Sequence, residues 1–344
     1  MRKEIKCAAV MMGLSLLVAV AGCYEPTKED MKTFEERGWV ATSEAESRAM
    51  TELKEWAGIP DDTKIENVSM YGGKTPKVVV YGELKEWKND KGETGTSVDD
   101  RKIKILNDEG KVIKEDLLSW GEPSKDKDGN VTAYIASDSY AGEQNEIVLL
   151  NDKGNVASEK KLTHKEEKEG WKYVLKEHER GYLSEDGNYL GVLYVKYWTD
   201  KPVKQDEPAT NLPNAIYKFK YMDKSGKILW EIDGDENNAI SGNAITISKN
   251  GERVLSTGRD DKGGLENENS DYLVIYTKEG KLIKKHYFGS SIEIKLTKDG
   301  KSAILETDIY VNGEFNIRFV KINLEDGGVT DLNVKNWNEL DDVL

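Results

Sequence analysis

Residues 271–306 read DYLVIYTKEGKLIKKHYFGSSIEIKLTKDGKSAILE, and they show twice in succession the unit on which the chain is built. Each half is an apolar run, a polar turn ending in glycine, and a second apolar run. Tyr272, Leu273, Val274, Ile275 and Tyr276 are β-formers, Lys278-Glu279-Gly280 turns the chain, and residues 281–287 return. Ile292, Ile294 and Leu296 then alternate with Glu293 and Lys295 before Lys298-Asp299-Gly300. Glycine supplies the positive φ that such hairpin turns demand, so the stretch predicts two consecutive hairpins.

The same turn recurs at Gly73, Gly110, Gly129, Gly154, Gly187, Gly226, Gly251, Gly280, Gly300 and Gly327, in contexts such as NDEGK, SEDGN, DKSGK and TKDGK. Two kinds alternate. One separates IKIL from KVIK, IVLL from NVAS, YKFKY from KILW, YLVIY from KLIKK and FVKI from VTDL; the other separates ITI from RVL and IEIKL from KSAIL. Pairing one of each kind gives four-stranded units at 67–118, 120–162, 172–233, 243–289 and 292–334. A period of about 50 residues made of four short strands is the pattern of a β-propeller blade. Residues 217–233, YKFKYMDKSGKILWEID, resemble the repeat of quinoprotein-type and WD40-like propellers. The likeness implies an all-β fold, a β-propeller of five or six four-stranded blades, with a multi-hairpin β-sandwich as the alternative. No Trp-Asp dipeptide closes a blade, and Trp230 recurs at no matching sequence position, so the resemblance speaks to architecture rather than activity.

The N-terminus carries a different message. Arg2, Lys3 and Lys6 precede an apolar run over 8–20, too short to span a bilayer comfortably, which closes on Val20-Ala21-Gly22-Cys23. This resembles a bacterial lipoprotein signal with its lipobox, which implies cleavage before Cys23, lipid attachment to its sulfur and export to a membrane surface. Tyr24 replaces the Asp that inner-membrane lipoproteins carry next, pointing to the outer membrane if the cell is Gram-negative. The only cysteines are Cys7 and Cys23, so no disulfide or thiolate chemistry is left for the exported chain. Residues 1–22 thus read as signal, 23–42 as tether, 43–60 as a short N-terminal helix, 61–335 as the β domain and 336–344 as a tail. The helix rests on Ser43 with Glu46 as a capping box, on Met50, Leu53 and Trp56 at helical spacing, and on Gly58-Ile59-Pro60 as its stop.

The formal charge is −14, and removing residues 1–22, which carry a net +2, leaves about −16. Such a surface repels phosphate backbones, which excludes nucleic acid as the natural partner and favours basic surfaces or cations. If tight glycine turns occupy one end of each blade, the other end holds connections of unequal length: 83–101, 137–146, 198–214, 258–271 and 310–315. Variable loops on a rigid scaffold are where binding sites collect. Trp87, Tyr140, Tyr197 and Trp198 lie in or beside them, as do Asp260 and Asp261, and flat rings there can stack on sugars or anchor peptides. Asp260, Asp261, Glu266, Glu268 and Asp271 offer oxygen ligands for Ca²⁺, though at spacings matching no calcium loop, so no cofactor is expected. Residues 125–130, KDKDGN, read as a turn.

His164, His178 and His286 are scattered, without an HExxH pattern, and exposed strand positions are expected for them. There is no GxSxG, P-loop or GxGxxG, and 64 acidic residues make any carboxylate pair uninformative. The expected function is therefore a lipid-anchored binding or scaffold protein that presents a variable face to protein or glycan partners. The alternative is a propeller hydrolase or lyase acting on envelope or imported polymers, with Ca²⁺ as a helper.

Overall fold

The computed structural model describes residues 51–71, 76–89, 92, 94–119, 121–138, 143–169, 172–199, 214–234, 244–259, 271–288, 290–311, 314–340 and 343. Among these the chain is nearly all β, in antiparallel sheets that run as simple meanders. It divides into two compact units, Met1–Lys161 and Leu162–Leu344. The expected signal, tether and capping box lie outside the described residues, as do Cys23, Tyr140, Gly73, Asp260, Asp261, Glu266 and Glu268. Among the described residues, no helix is long and apolar enough to cross a membrane.

The first unit opens with a helical stretch at 51–57. Gly58 ends it at φ +61°, with Ile59 N–H donating to Lys54 O at 2.8 Å and Gly58 N–H to Glu55 O at 3.3 Å, the Schellman pattern. The buried Lys104 donates to the orphan carbonyls of Ala57 and Gly58 at 3.3 and 2.9 Å. Strands β1 (Thr63–Ser69), β2 (Val78–Lys88), β3 (Thr94–Leu106) and β4 (Val112–Leu118) form the first meander. A second contains β5 (Ser124–Lys125), β6 (Val131–Ser137), β7 (Gln144–Leu150) and β8 (Val156–Lys161). The two were expected as separate blades, but they share one sheet, because Leu117 and Leu118 of β4 pair with Ser137 and Ala136 of β6. The cause is local. β5 is only two residues long behind Pro123 and pairs with only the start of β6, and β4 supplies partners to the rest.

The second unit holds three sheets. The first runs β9 (His164–Glu169), β10 (Lys172–Leu183), β11 (Tyr189–Trp198), β12 (Asn214–Asp223) and β13 (Ile228–Gly234). It has five strands where four were expected, because β9, HKEEKE, contains no apolar residue to betray it. The next two are four-stranded: β14 (Ala244–Ile247), β15 (Arg253–Arg259), β16 (Asp271–Thr277) and β17 (Leu282–Phe288), then β18 (Ser290–Leu296), β19 (Ser302–Val311), β20 (Glu314–Asn323) and β21 (Val329–Leu332).

Face-to-face packing explains the apolar runs. Val254, Tyr272, Val274 and Tyr276 face the five-stranded sheet and pack with Leu193, Val195, Phe219 and Tyr221. Leu255, Leu273 and Ile275, the alternate positions, pack with Ala303, Leu305, Val320 and Ile322 of the last sheet. A strand buried on both faces needs no polar alternation, and so residues 272–276 are continuously apolar. In the first unit Val78, Val80, Ile103 and Ile105 pack in the same manner on Val131, Tyr134, Ala136 and Val148.

Nine of the ten predicted turn glycines are described, and all nine have positive φ, between +65° and +85°. Apart from Gly129, where Asp126 caps as in the first kind, the two kinds are capped differently. Ahead of Gly110, Gly154 and Gly226, the side-chain oxygens of Asn107, Asn151 and Asp223 accept from the N–H groups two and four residues on. Ahead of Gly187, Gly251 and Gly300, the hydroxyls of Ser184, Ser248 and Thr297 accept from the N–H five residues on. Within the second unit, the turns of successive sheets adjoin at the same end of the strands. Asp186 N–H donates to Lys249 O at 3.3 Å, and Lys249 Nζ meets Glu185 at 2.6 Å.

Candidate binding face

Because the glycine turns occupy one end of each meander, the remaining connections emerge at the other, and the residues nominated from the sequence can be located there. In the first unit, the stretch expected as a loop at 83–101 is instead the prolongation of β2 and β3. Their pairing continues from Glu83↔Asp99 to Lys88↔Thr94, and Gly92 N–H closes the turn onto Asn89 O at 2.9 Å. Charged side chains hid it from a search for apolar runs. Leu84 to Lys88 are exposed on both faces of the strand, so this hairpin stands clear of the sheet. Leu84 is 45 % exposed and Trp87 44 %. Trp87 lies over Gly95, its cross-strand partner, where an added Cβ would come within 2.6 Å of the indole. The glycine thus leaves the space over its backbone that the exposed ring occupies.

In the second unit the open end belongs to β9 to β12. Tyr197 and Trp198 are the last two residues of β11, half-buried, and point to opposite faces of the sheet. Tyr197 stacks on His178 with centroids 6.0 Å apart and meets Tyr217 edge-on at 6.0 Å, their hydroxyls 3.4 Å apart. His178 faces His164 across β9 and β10, centroids 6.3 Å apart. Four rings therefore form a continuous row across four strands. Beside them, Lys176 and Lys168 reach Glu166 at 2.9 and 3.1 Å, and Lys196 reaches Glu177 at 2.8 Å. Hydrogen bonding from Lys176 holds Glu166 below the usual carboxylate range, and Lys196 does the same to Glu177.

The histidines depart from expectation. His164 is exposed, but His178 is buried and His286 half-buried, its Nε2 2.6 Å from Gly327 O. The pairing of His164 with His178 was not readable from spacing, because it depends on a register shift between Tyr173 and Leu175. Tyr217 carried no signal either, because register across β11 and β12 decides its place. Of the nominated oxygen ligands, Asp271 opens β16 opposite Arg259 rather than sitting in a loop. The KDKDGN stretch is a turn, as read, with Asp126 Oδ1 accepting from Asp128 and Asn130 N–H at 2.9 Å each.

No protein-family model matches the sequence, and neither does any curated protein. Similar solved structures include a eukaryotic initiation factor, at 10 % identity over 75 % of this chain and 76 % of that one, with a TM-score of 0.29. An acylaminoacyl peptidase from Pyrococcus horikoshii shares 12 % identity over 74 % of this chain and 37 % of its own length, TM-score 0.38. A protein of unknown function from Bacteroides caccae shares 12 % identity over 68 % and 69 % of the two chains, TM-score 0.30. Likenesses at this level transfer neither residue roles nor activity.

Proposed function

We propose that this chain is an exported, lipid-anchored binding protein whose meanders are propeller-type blades, and that it captures protein or glycan partners at the strand ends opposite its glycine turns. The observation that carries the reading is the Trp87 hairpin: an indole 44 % exposed, lying over Gly95, at the tip of a two-stranded arm exposed on both faces. An exposed Trp that merely filled space would not need a glycine opposite it, whereas an accessible ring is what sugar stacking or peptide anchoring uses. The Tyr197–Tyr217 row offers the same chemistry in the second unit. Acid chemistry finds less support. Where a described carboxylate departs from its ordinary range, as at Asp108, Glu166, Glu177, Asp223 and Asp299, it is lowered by a lysine or by turn hydrogen bonds. A general acid needs the opposite shift.

The test is capture from cells with a photocrosslinker at Lys85, comparing the parent with Trp87→Ala and with a chain trimmed over 200–213 and 259–269. Loss of capture at unchanged thermal stability is the expected result. Full capture by both variants would sink the reading. Cys23→Ser should release the chain from the membrane fraction; a protein that stays membrane-bound after that change is held by something other than the proposed lipid.

A further inference from the structure

The β9–β10 hairpin sets two histidines of the aromatic row face to face, and their ring nitrogens offer a chemistry that stacking does not use. His164 and His178 are directly opposed residues of an antiparallel pair, and Cβ atoms so placed stand about 4.5–5.5 Å apart. Two imidazoles at that spacing can close on one ion. With Zn–N bonds of about 2.0–2.1 Å, the ring centroids around a tetrahedral ion stand about 5 Å apart. The observed 6.3 Å, at 49° between planes, exceeds this by about 1 Å. Closing the site requires the exposed His164 and Glu166 to turn toward His178, which is 6 % exposed and stacked on Tyr197 and stays in place.

A third donor is at hand. Glu166 lies two residues along β9 on the same face as His164 and brings a carboxylate oxygen within 4.8 Å of one of its ring nitrogens. Its ion pairs with Lys176 and Lys168 keep it deprotonated, the form that ligates. We propose that His164, His178 and Glu166 form a site for a borderline transition metal, with Zn²⁺ the best match to two imidazoles and one carboxylate and a fourth position open to solvent. The rigid buried ligand sets the direction, and the exposed pair adapts to it. Lys176 competes with the ion for Glu166, so the site is also tuned by that lysine.

Isothermal titration of the full chain with Zn²⁺, and with Co²⁺ followed by its visible absorption, tests this. One equivalent should bind, and Co²⁺ should give a tetrahedral spectrum. His164→Ala, on the exposed side, leaves the fold intact by circular dichroism and should weaken binding at least about ten-fold, the loss that removal even of an outer-shell partner causes. Lys176→Met should strengthen binding by freeing Glu166, an effect that a purely structural role for this hairpin would not produce. His286→Ala should leave binding unchanged. Absence of binding, affinity retained in His164→Ala, or equal loss in His286→Ala each overturns the proposal.

Discussion

Gly280 and Gly226 provide a matched pair for testing how the sheets of the second unit are locked together. Both occupy the last position of the same kind of turn, at φ +80° and +82°. An alanine at either must adopt the left-handed conformation, at a cost of about 1–2 kcal/mol. At Gly226 nothing lies within 4 Å of the added Cβ, so that cost stands alone. At Gly280 the Cβ would meet Trp230, 2.8 Å from Cγ and 2.9 Å from Cδ2. The indole cannot easily retreat, because Phe219, Tyr221 and Tyr276 surround it with centroids 5.5, 5.5 and 5.6 Å away. Overpacking of this sort adds about 1–3 kcal/mol. Gly280→Ala should therefore destabilise by about 2–5 kcal/mol and Gly226→Ala by about 1–2 kcal/mol. Urea unfolding followed by far-ultraviolet circular dichroism, with equal slopes for the variants, measures the difference. Trp230→Phe in the Gly280→Ala background should recover part of the loss, a coupling that a double-mutant cycle isolates. Equal costs at the two glycines, or no coupling to Trp230, would refute the packing argument.

Two further outcomes follow from the turns and the core. Asp223 and Asp299 are held below their ordinary carboxylate range by hydrogen bonds from Ser225 and Thr297. A depressed folded-state pKa contributes stability that is complete above the unfolded value of about 3.9 and is lost as pH falls through the lowered one. Asn serves the same turn at Asn107 and Asn151, so Asp223→Asn should fold normally, and its stability relative to the parent should improve only below about pH 4; a difference that is constant from neutral pH down to 3 would count against this. Ile275→Ala, at a side chain 0 % exposed between two sheets, should cost about 2–5 kcal/mol, whereas Ile317→Ala, at 55 % exposure, should stay within about 0.5 kcal/mol by the same unfolding measurement.

The regular part of the fold was legible because its turns depend on one residue type. Left-handed φ selects glycine whatever surrounds it, and that requirement repeats at Gly110, Gly154, Gly226 and Gly280 in plain sequence. What remained hidden depends on pairing rather than composition. β9 is a strand because β10 offers it a ladder, and the outer half of β2 is one because β3 does; neither has an apolar face to announce it. The role of Trp230 was likewise invisible, because its register equivalent in β17 is Lys284, whose aliphatic stem lies on Gly327 as Trp230 lies on Gly280. A search for a recurring tryptophan misses a position defined by what it covers. At the candidate face Trp87 and Tyr197 were found by their place near predicted connections, but the row from Tyr217 to His164 exists only once register is fixed across four strands.

Two short segments that cover sheet faces sharpen where a partner can act. In the first unit, Leu53, Trp56 and Ala57 of the helical stretch pack over Ile65, Val79, Tyr81 and Leu106, the face of the sheet that points away from β6 and β7. In the second unit, Trp337 and Leu340, from the 3-10 turn Trp337–Leu340, pack on Ile304 and Phe319, the face of the last sheet that points away from β15 and β16. In each unit a short segment thus covers an apolar face of a sheet. Sheet faces so covered are closed to partners, and the glycine turns are tied by their own side-chain caps. Among the described residues, accessible chemistry is left to strand edges and to strand ends away from those turns, and Trp87 stands at such an end. A partner that bound instead through the covered faces would have to displace Trp56 or Trp337. Binding would then lower the protection of residues 51–57 or 337–340 from amide exchange; under the reading advanced above, the protection changes at 84–97 and leaves both caps untouched.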